Sequence, residues 1–475
     1  MQTYDVVVIG SGPGGQQAAL QAAQSGQQVA LVECGRQVGG ACVYTGTIPS
    51  KTLREAALSL VRMKRQASAF EVALHDGLEV ASLMNRLEHV LTAYGTTLAA
   101  QLERAGVTCY HGRGRLLGDH QVAIRHVDRT TTAIRGEAIV LATGSRPRKP
   151  PEIPVDHEHI LDSDSILSML YLPESLTVLG GGVIACEYAS IFAMLGVAVT
   201  IIDRGSRPLS FMDEELTRKF VATFERHGGR YLGEQHIEHV EWDGATQVVT
   251  QLASGEVITT DKMLVALGRL ANVEGLGLET EGVVQGRRNL IVVNEHYQTS
   301  VPYIYAVGDV IGPPSLAASS MEQGRRAMCH YQGRDPGHAF ELVPVGIYGV
   351  PELGSVGLSE AQAREQHGDI LIGRADFEEV ARSQIEGIED GMLKLIARAS
   401  DLKLLGVHAV GDGATELVHV GQIALLNGND AHIFLENIFN FPTLSEAYRL
   451  AAFDLVQQAA SVGTLPEASP LRRVA

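Results

Sequence analysis

At 475 residues the chain exceeds the ~250–300 at which one hydrophobic core stops growing, so about two to four domains are expected. Its 45 % apolar and 20 % charged content is that of a folded globular protein, and no apolar run is long enough to span a bilayer. A formal charge of −17 weighs against nucleic acid as a partner, and five scattered cysteines without ligand spacing weigh against a metal site or a disulfide framework.

The chain runs directly into an apolar strand over 6–9, with no basic leader or small-residue cleavage site, so a cytoplasmic location is expected; the cysteine usage suits that reducing compartment. The strand feeds Gly10-Ser11-Gly12-Pro13-Gly14-Gly15, then a helix over 16–24 stopped at Gly26, then a strand over 29–33 ending in Glu33. Each residue type has a reason. Gly10 makes the tight turn, Gly12 lets backbone approach a pyrophosphate, Gly15 permits close helix–strand packing, and Glu33 can accept from a ribose hydroxyl. Residues 54–105 have helical period. The same order recurs at 176–179, Gly180-Gly181-Gly182-Val183-Ile184-Ala185, a helix through Met194, and a strand over 197–202 ending in Asp203. Two dinucleotide turns favour a flavin held by the first and a nicotinamide nucleotide visiting the second. Asp203 can accept from a free ribose hydroxyl, while Arg204 or Arg207 can fork a 2′-phosphate. Helix over Leu316-Ala317-Ala318-Ser319 would present its N-terminus to negative charge. Residues 343–475 mix short strands such as 393–396 with helices, as in α+β folds. His408 and His419 lie in apolar stretches and read as interior histidines.

Five ordered motifs then make the chain resemble the flavoprotein disulfide reductases with two dinucleotide-binding domains. They are Ala142-Thr143-Gly144-Ser145-Arg146-Pro147, Ala266-Leu267-Gly268-Arg269, Val307-Gly308-Asp309, Pro351-Glu352-Leu353-Gly354-Ser355-Val356-Gly357 and Pro442-Thr443-Leu444-Ser445-Glu446. The resemblance implies an α/β fold with two Rossmann-like domains and a C-terminal α+β dimerisation domain. The FAD-binding domain would occupy 1–150 and 270–342, the NAD(P)-binding domain 151–269 and the interface domain 343–475. Lys51 and Glu187 would pair beside the flavin as the catalytic residues. The cofactor-binding set is Gly10, Gly12, Gly14, Gly15, Glu33, Cys42, Thr47, Lys51, Gly114, Thr143, Gly144, Ser145, Arg146, Gly308, Asp309, Ala317 and Ala318. In the second domain it is Gly180, Gly182, Val183, Ile184, Glu187, Asp203, Arg204 and Arg207, with Gly268 at its exit.

The departures from that family are as informative as the matches. Its redox motif is Cys-x4-Cys, but in Gly40-Ala41-Cys42-Val43-Tyr44-Thr45-Gly46-Thr47 the second position is Thr47, and Phe441 stands where a histidine would precede Pro442. A threonine cannot attack a disulfide and a phenylalanine cannot shuttle a proton. Within the family the chain is similar to the soluble Si-specific NAD(P)+ transhydrogenases, which share Gly-Thr-Ile-Pro-Ser-Lys, a single cysteine and an aromatic residue before Pro-Thr. It differs at Val43-Tyr44-Thr45, usually Thr-His-Trp, and at Phe441, usually tyrosine. The implied activity is FAD-dependent hydride transfer between NADPH and NAD+ in a homodimer or higher homo-oligomer, with NADP(H) and NAD(H) as substrates and neither membrane nor nucleic acid as partner. The alternatives are an NAD(P)H-dependent reductase of a quinone, peroxide or other acceptor, and a non-catalytic flavoprotein. Cys42 is either an inert thiol or one that cycles through a sulfenic acid.

Overall fold

Both faces of the first strand, Gln2–Ile9, are buried. Val6 and Val8 enter one apolar layer with Ala18, Ala22, Leu31 and Met328, while Val7 and Ile9 enter another with Leu116, Ile124, Ile139 and Leu141. A strand covered on both sides reads as a continuous apolar run, which is how this one reads. The architecture comes from a computed structural model that describes residues 1–69, 80–337, 342–388 and 390–462. The chain divides into two compact units: 1–59 and the described parts of 64–172 and 265–339 form one, and 60–63, 173–264 and the described part of 340–475 form the other.

In the first unit the strands Thr108–His111, Val29–Glu33, Gln2–Ile9, Thr131–Leu141 and Ile304–Ala306 lie side by side and parallel. The long strand Thr131–Leu141 divides one edge between two neighbours. Its residues 139–141 pair with Ile304–Ala306, while 131–135 pair antiparallel with Gln121–Arg125, which continues to Arg113–Gly118. The carboxyl ends Ile9, Leu141 and Ala306 therefore align at one edge of the sheet. Helices Pro13–Gln24 and Ala317–Tyr331 pack on one face and touch through glycine, since a Cβ on Gly324 would lie 2.2 Å from the Gly14 carbonyl oxygen. Helices Thr47–Ala69 and Val80–Arg104 account for the helical period over 54–105, apart from 70–79, which lie outside the described residues.

The second unit contains the strands Arg230–Leu232, Ala198–Ile202, Ser175–Leu179 and Lys262–Val265 in that order, with the first two pairings parallel. A five-stranded antiparallel sheet follows, in the order Val345–Ile347, Leu353–Gly357, Leu404–Gly411, Gly391–Arg398, Ile370–Asp376. Helix Glu446–Val462 covers it through Tyr448, Ala451 and Leu455 against Phe377, Leu393 and Leu395. His408 is buried with both ring nitrogens hydrogen-bonded, to Ser355 Oγ at 2.7 Å and the Leu358 carbonyl at 2.9 Å, whereas His419 is exposed. No helix among the described residues is long and apolar enough to cross a membrane.

One buried cation interrupts this core. Lys394 is 1 % exposed, and its ammonium lies 2.9 Å from Asp213, 2.9 Å from Glu215 and 2.8 Å from Glu360. Asp213 also caps helix Glu214–Arg226 by accepting from Glu215 N, and it takes a further hydrogen bond from Glu360 N. Burial alone would push these three carboxyls up, but hydrogen bonds and the Lys394 charge hold all three below their ordinary range. Removing one partner from such a group leaves uncompensated buried charge, so Lys394→Met is expected to lower the unfolding free energy by about 3–5 kcal/mol in urea. Carboxyls held low bind protons more readily when unfolded. The stability they contribute is thus present above their unfolded values and lost as the pH falls through the folded ones. Lys394→Met should therefore also flatten the loss of stability on acidification from about pH 5 downward.

Candidate cofactor and nucleotide sites

The residues that follow the three aligned strand ends of the first unit are the three motifs expected to meet a dinucleotide. Gly10 N donates to the Val32 carbonyl, Ala142 N to that of Ile9, and Val307 N to that of Leu141, at 2.8, 2.8 and 3.0 Å. Gly10 has φ +104°, and a Cβ there would lie 2.3 Å from the Ala142 oxygen. A Cβ on Gly15 would lie 1.9 Å from the Gly10 oxygen, and one on Gly14 3.0 Å from Val307 Cγ2. Gly12 and Gly144 instead face open space. Beneath the turn, a Cβ on Gly114 would meet Ile9 Cγ2 at 2.9 Å, so this glycine lets the adjoining strands close on Ile9. Glu33 is already engaged: its Oε2 accepts from Ser11 N at 2.9 Å and from the buried Ser11 hydroxyl, and that hydroxyl accepts from Gly39 N at 2.9 Å.

Ser145 Oγ donates to Asp309 Oδ2 at 2.6 Å, which joins the motif after Leu141 to the one after Ala306. Arg269 braces Ser145 through its hydroxyl and its carbonyl, both at 2.8 Å. Thr143 Oγ1 donates to the Asn272 carbonyl at 2.7 Å. Arg146 is bidentate on Glu274 at 2.7 and 2.8 Å, so its guanidinium holds the two-stranded ribbon of Ser145–Pro147 with Arg269–Ala271. Gly268, at φ +99°, lies just before that ribbon. Gly308 N donates to the buried Gln323 side chain at 2.7 Å. Ala317 and Ala318 open helix Ala317–Tyr331, and in the same turn Ser319 Oγ is buried without a hydrogen-bond partner among the described residues.

Helix Gly40–Tyr44 carries Cys42, and Lys51 lies one turn into the helix that Thr47 begins. Cys34, Cys42, Cys109, Cys186 and Cys329 are all free thiols. Burial pushes the Cys42 thiol up from its ordinary value; the Thr47 hydroxyl and the Lys51 charge pull the other way without reversing it. A thiol held protonated is a poor nucleophile.

In the second unit Gly180 has φ +109°, and its N–H donates to the Ile202 carbonyl at 2.8 Å. Gly182 faces open space at the start of helix Val183–Met194, with Val183 and Ile184 in the first turn. Glu187, on that helix, is 4 % exposed and accepts from Tyr348 N at 2.9 Å. Asp203 sits directly over the turn, because a Cβ on Gly181 would lie 2.2 Å from its Oδ2. Arg204 is exposed. Arg207 turns inward, donating to the Met212 and Ser210 carbonyls at 3.2 and 2.8 Å and to Thr217 Oγ1 at 3.1 Å. It braces the loop and leaves Arg204 as the outward cation.

Helices Pro13–Gln24, Val183–Met194 and Ala317–Tyr331 begin without a capping side chain, as does Ala414–Leu426, while Glu214–Arg226 and Glu360–His367 are capped by Asp213 and Ser359. Free N–H groups at a helix start suit an anion. With open space before Gly12, Gly144 and Gly182 and the orphaned Ser319 hydroxyl, the residues present fit one dinucleotide in each unit. Ser11, Gly181, Arg269 and Asn272 were missed from the sequence. Arg269 had the clearest signal, since it ends a recognised motif.

Residues 4–324 match the pyridine nucleotide-disulphide oxidoreductase family and 343–452 match its dimerisation domain. Soluble pyridine nucleotide transhydrogenases from Mycobacterium tuberculosis and Yersinia pestis are 42 % and 37 % identical to this chain, covering 96 % and 95 % of it and 98 % and 97 % of their own lengths. LpdA from Mycobacterium tuberculosis superposes with a TM-score of 0.88 at 27 % identity, over 95 % of this chain and 99 % of its own. The HOCl-induced flavoprotein disulfide reductase RclA from Escherichia coli does so at 0.86 and 25 %, over 95 % and 99 %. With its matches spanning both halves of the sequence, the chain belongs to the pyridine nucleotide-disulphide oxidoreductase family.

Proposed function

We propose that the protein is an FAD-dependent transhydrogenase that moves hydride between NADPH and NAD+. One observation carries the reading: both dinucleotide turns are kept, each with its acid-ended strand, while Thr47 stands where Cys42 would need a second thiol. The names of the similar transhydrogenases support it. In this reading 1–150 and 270–342 hold FAD, 151–269 take the nicotinamide nucleotide, and 343–475 pair copies in a cytoplasmic homodimer or higher homo-oligomer. The match to a dimerisation domain supports the pairing, as do the exposed Ile438 and Phe441.

Bound FAD supplies a ring that takes a hydride from one nicotinamide and returns it to another. The chain binds and orients. The start of helix Pro13–Gln24 would hold the pyrophosphate and Glu33 the adenosine ribose, while Gly144, Ser145 and Asp309 would contact the part of the cofactor that leads to the ring. Lys51 would hold positive charge beside the ring, and the start of helix Ala317–Tyr331 would stabilise negative charge on it. Asp203 accepts from the ribose of NAD(H), and Arg204 attracts the 2′-phosphate of NADP(H). Because the 2′-phosphate is remote from the nicotinamide, the two nucleotides have nearly equal reducing power, and their pools set the direction.

A single second turn requires one nucleotide to leave before the other enters. Initial-rate plots of NADPH against an NAD+ analogue should be parallel lines, each nucleotide inhibiting competitively at high concentration. In stopped flow NADPH should bleach the flavin absorbance and NAD+ should restore it at least as fast as turnover; recovery only with a quinone or peroxide would instead mark an acceptor reductase. Cys42→Ser should keep nicotinamide-to-nicotinamide transfer, and a loss beyond about a hundredfold in kcat/KM, ~2.7 kcal/mol, would put the thiol in the reaction. Arg204→Ala should raise KM for NADPH about tenfold or more with little change for NADH, since a charge-assisted contact to phosphate is worth about 1.5–3 kcal/mol.

A further inference from the structure

A site that serves two nucleotides must satisfy a ribose hydroxyl in one case and a phosphate dianion in the other, and the loop after strand Ala198–Ile202 has little backbone freedom with which to adapt. Asp203 N donates to the Leu232 carbonyl at 2.9 Å, Gln235 N to that of Asp203 at 2.9 Å, and Glu234 N to that of Gly205 at 3.0 Å. On its other side Leu209 N donates to the Gly181 carbonyl at 2.8 Å, and Arg207 ties the loop to the residues before helix Glu214–Arg226. The adaptation falls to side chains. Arg204 favours phosphate, but the neighbouring Asp203 carboxylate would repel it.

The Asp203 carboxylate has a second partner. Tyr231, on strand Arg230–Leu232, places its hydroxyl 3.3 Å from Asp203 Oδ2 and 3.1 Å from the Gly205 carbonyl oxygen. A phenol has one proton to donate, and both distances are longer than a well-formed O–H···O bond. The proton is therefore shared between two acceptors and can be committed to either. Burial and the Asp203 charge raise the Tyr231 phenol above its ordinary value, which keeps it a donor at neutral pH.

We propose that Tyr231 is a specificity-determining latch for the second nucleotide site. With NAD(H), Tyr231 donates to the Gly205 carbonyl and Asp203 accepts from the ribose 2′-hydroxyl. With NADP(H), Asp203 turns to accept from Tyr231, its charge is drawn from the 2′-position, and Arg204 faces the phosphate. This rests on the reading of Asp203 and Arg204 as the adenosine end of the site.

The test is a calorimetric titration of the full-length FAD-loaded protein with 5′-AMP and 2′,5′-ADP, which carry the adenosine end without the nicotinamide. Tyr231→Phe should weaken 2′,5′-ADP about tenfold and leave 5′-AMP within about twofold. In an Asp203→Asn background, where no carboxylate needs to be held, the same substitution should leave 2′,5′-ADP within about twofold. Equal losses for both ligands, no loss for 2′,5′-ADP, or an undiminished loss in the Asp203→Asn background would overturn the latch. Wild-type protein that binds neither ligand would overturn the placement of the site and the latch together. Binding of both by wild type with no selective effect of Tyr231→Phe would overturn the latch alone.

Discussion

The close approach of Gly15 to the Gly10 carbonyl is the constraint on which the first unit depends. A Cβ on Gly15 would lie 1.9 Å from that oxygen, so no other residue lets the helix start this near the strand end. Because it does, the uncapped start of the helix, with open space at Gly12, lies beside the motifs that follow Leu141 and Ala306. The other contacts of that edge follow from the same closeness. Gly40 must itself be bare to lie against the turn, since a Cβ on it would lie 2.8 Å from Gly12 Cα, and it is the first residue of the Cys42 helix.

The two dinucleotide units were legible in the sequence because their rules are local. A strand, a turn needing positive φ and a helix are adjacent in the chain, and each leaves its own mark in composition. Which side chain a charged group would choose was not legible. Arg146 reaches Glu274, and Arg207 takes carbonyls within its own loop, pairings set by a ribbon and a helix start that sequence spacing does not show. Glu33 was expected to offer its carboxylate to a ribose; the fold also gives it Ser11, whose hydroxyl is fully buried. Lys394 is the plainest case, because it is the one charge inside the apolar run Met392–Ala397 and is 1 % exposed, and its three carboxylates come from two segments, 213–215 and Glu360, both far from it in sequence.

The two turns resemble each other in order but differ in what lies over their second residue. Ser11 in the first donates to Glu33, which fixes the carboxylate by hydrogen bonds from the turn itself. Gly181 in the second has no side chain, and Asp203 occupies the room this leaves, within reach of Tyr231. A carboxylate pinned by its own turn suits a ligand that stays, whereas one whose partner lies on a neighbouring strand can be redirected, which suits ligands that exchange.

The division of strand Thr131–Leu141 between two neighbours has a consequence for biosynthesis. Four of the parallel strands are contained in residues 2–141, but Ile304–Ala306, which completes the edge over 139–141, leaves the ribosome only after the whole intervening second dinucleotide motif. Until then the nascent chain has an unpaired strand edge and lacks Gly308 and Asp309, so the first unit closes late and the interrupting segment can fold ahead of the unit that encloses it.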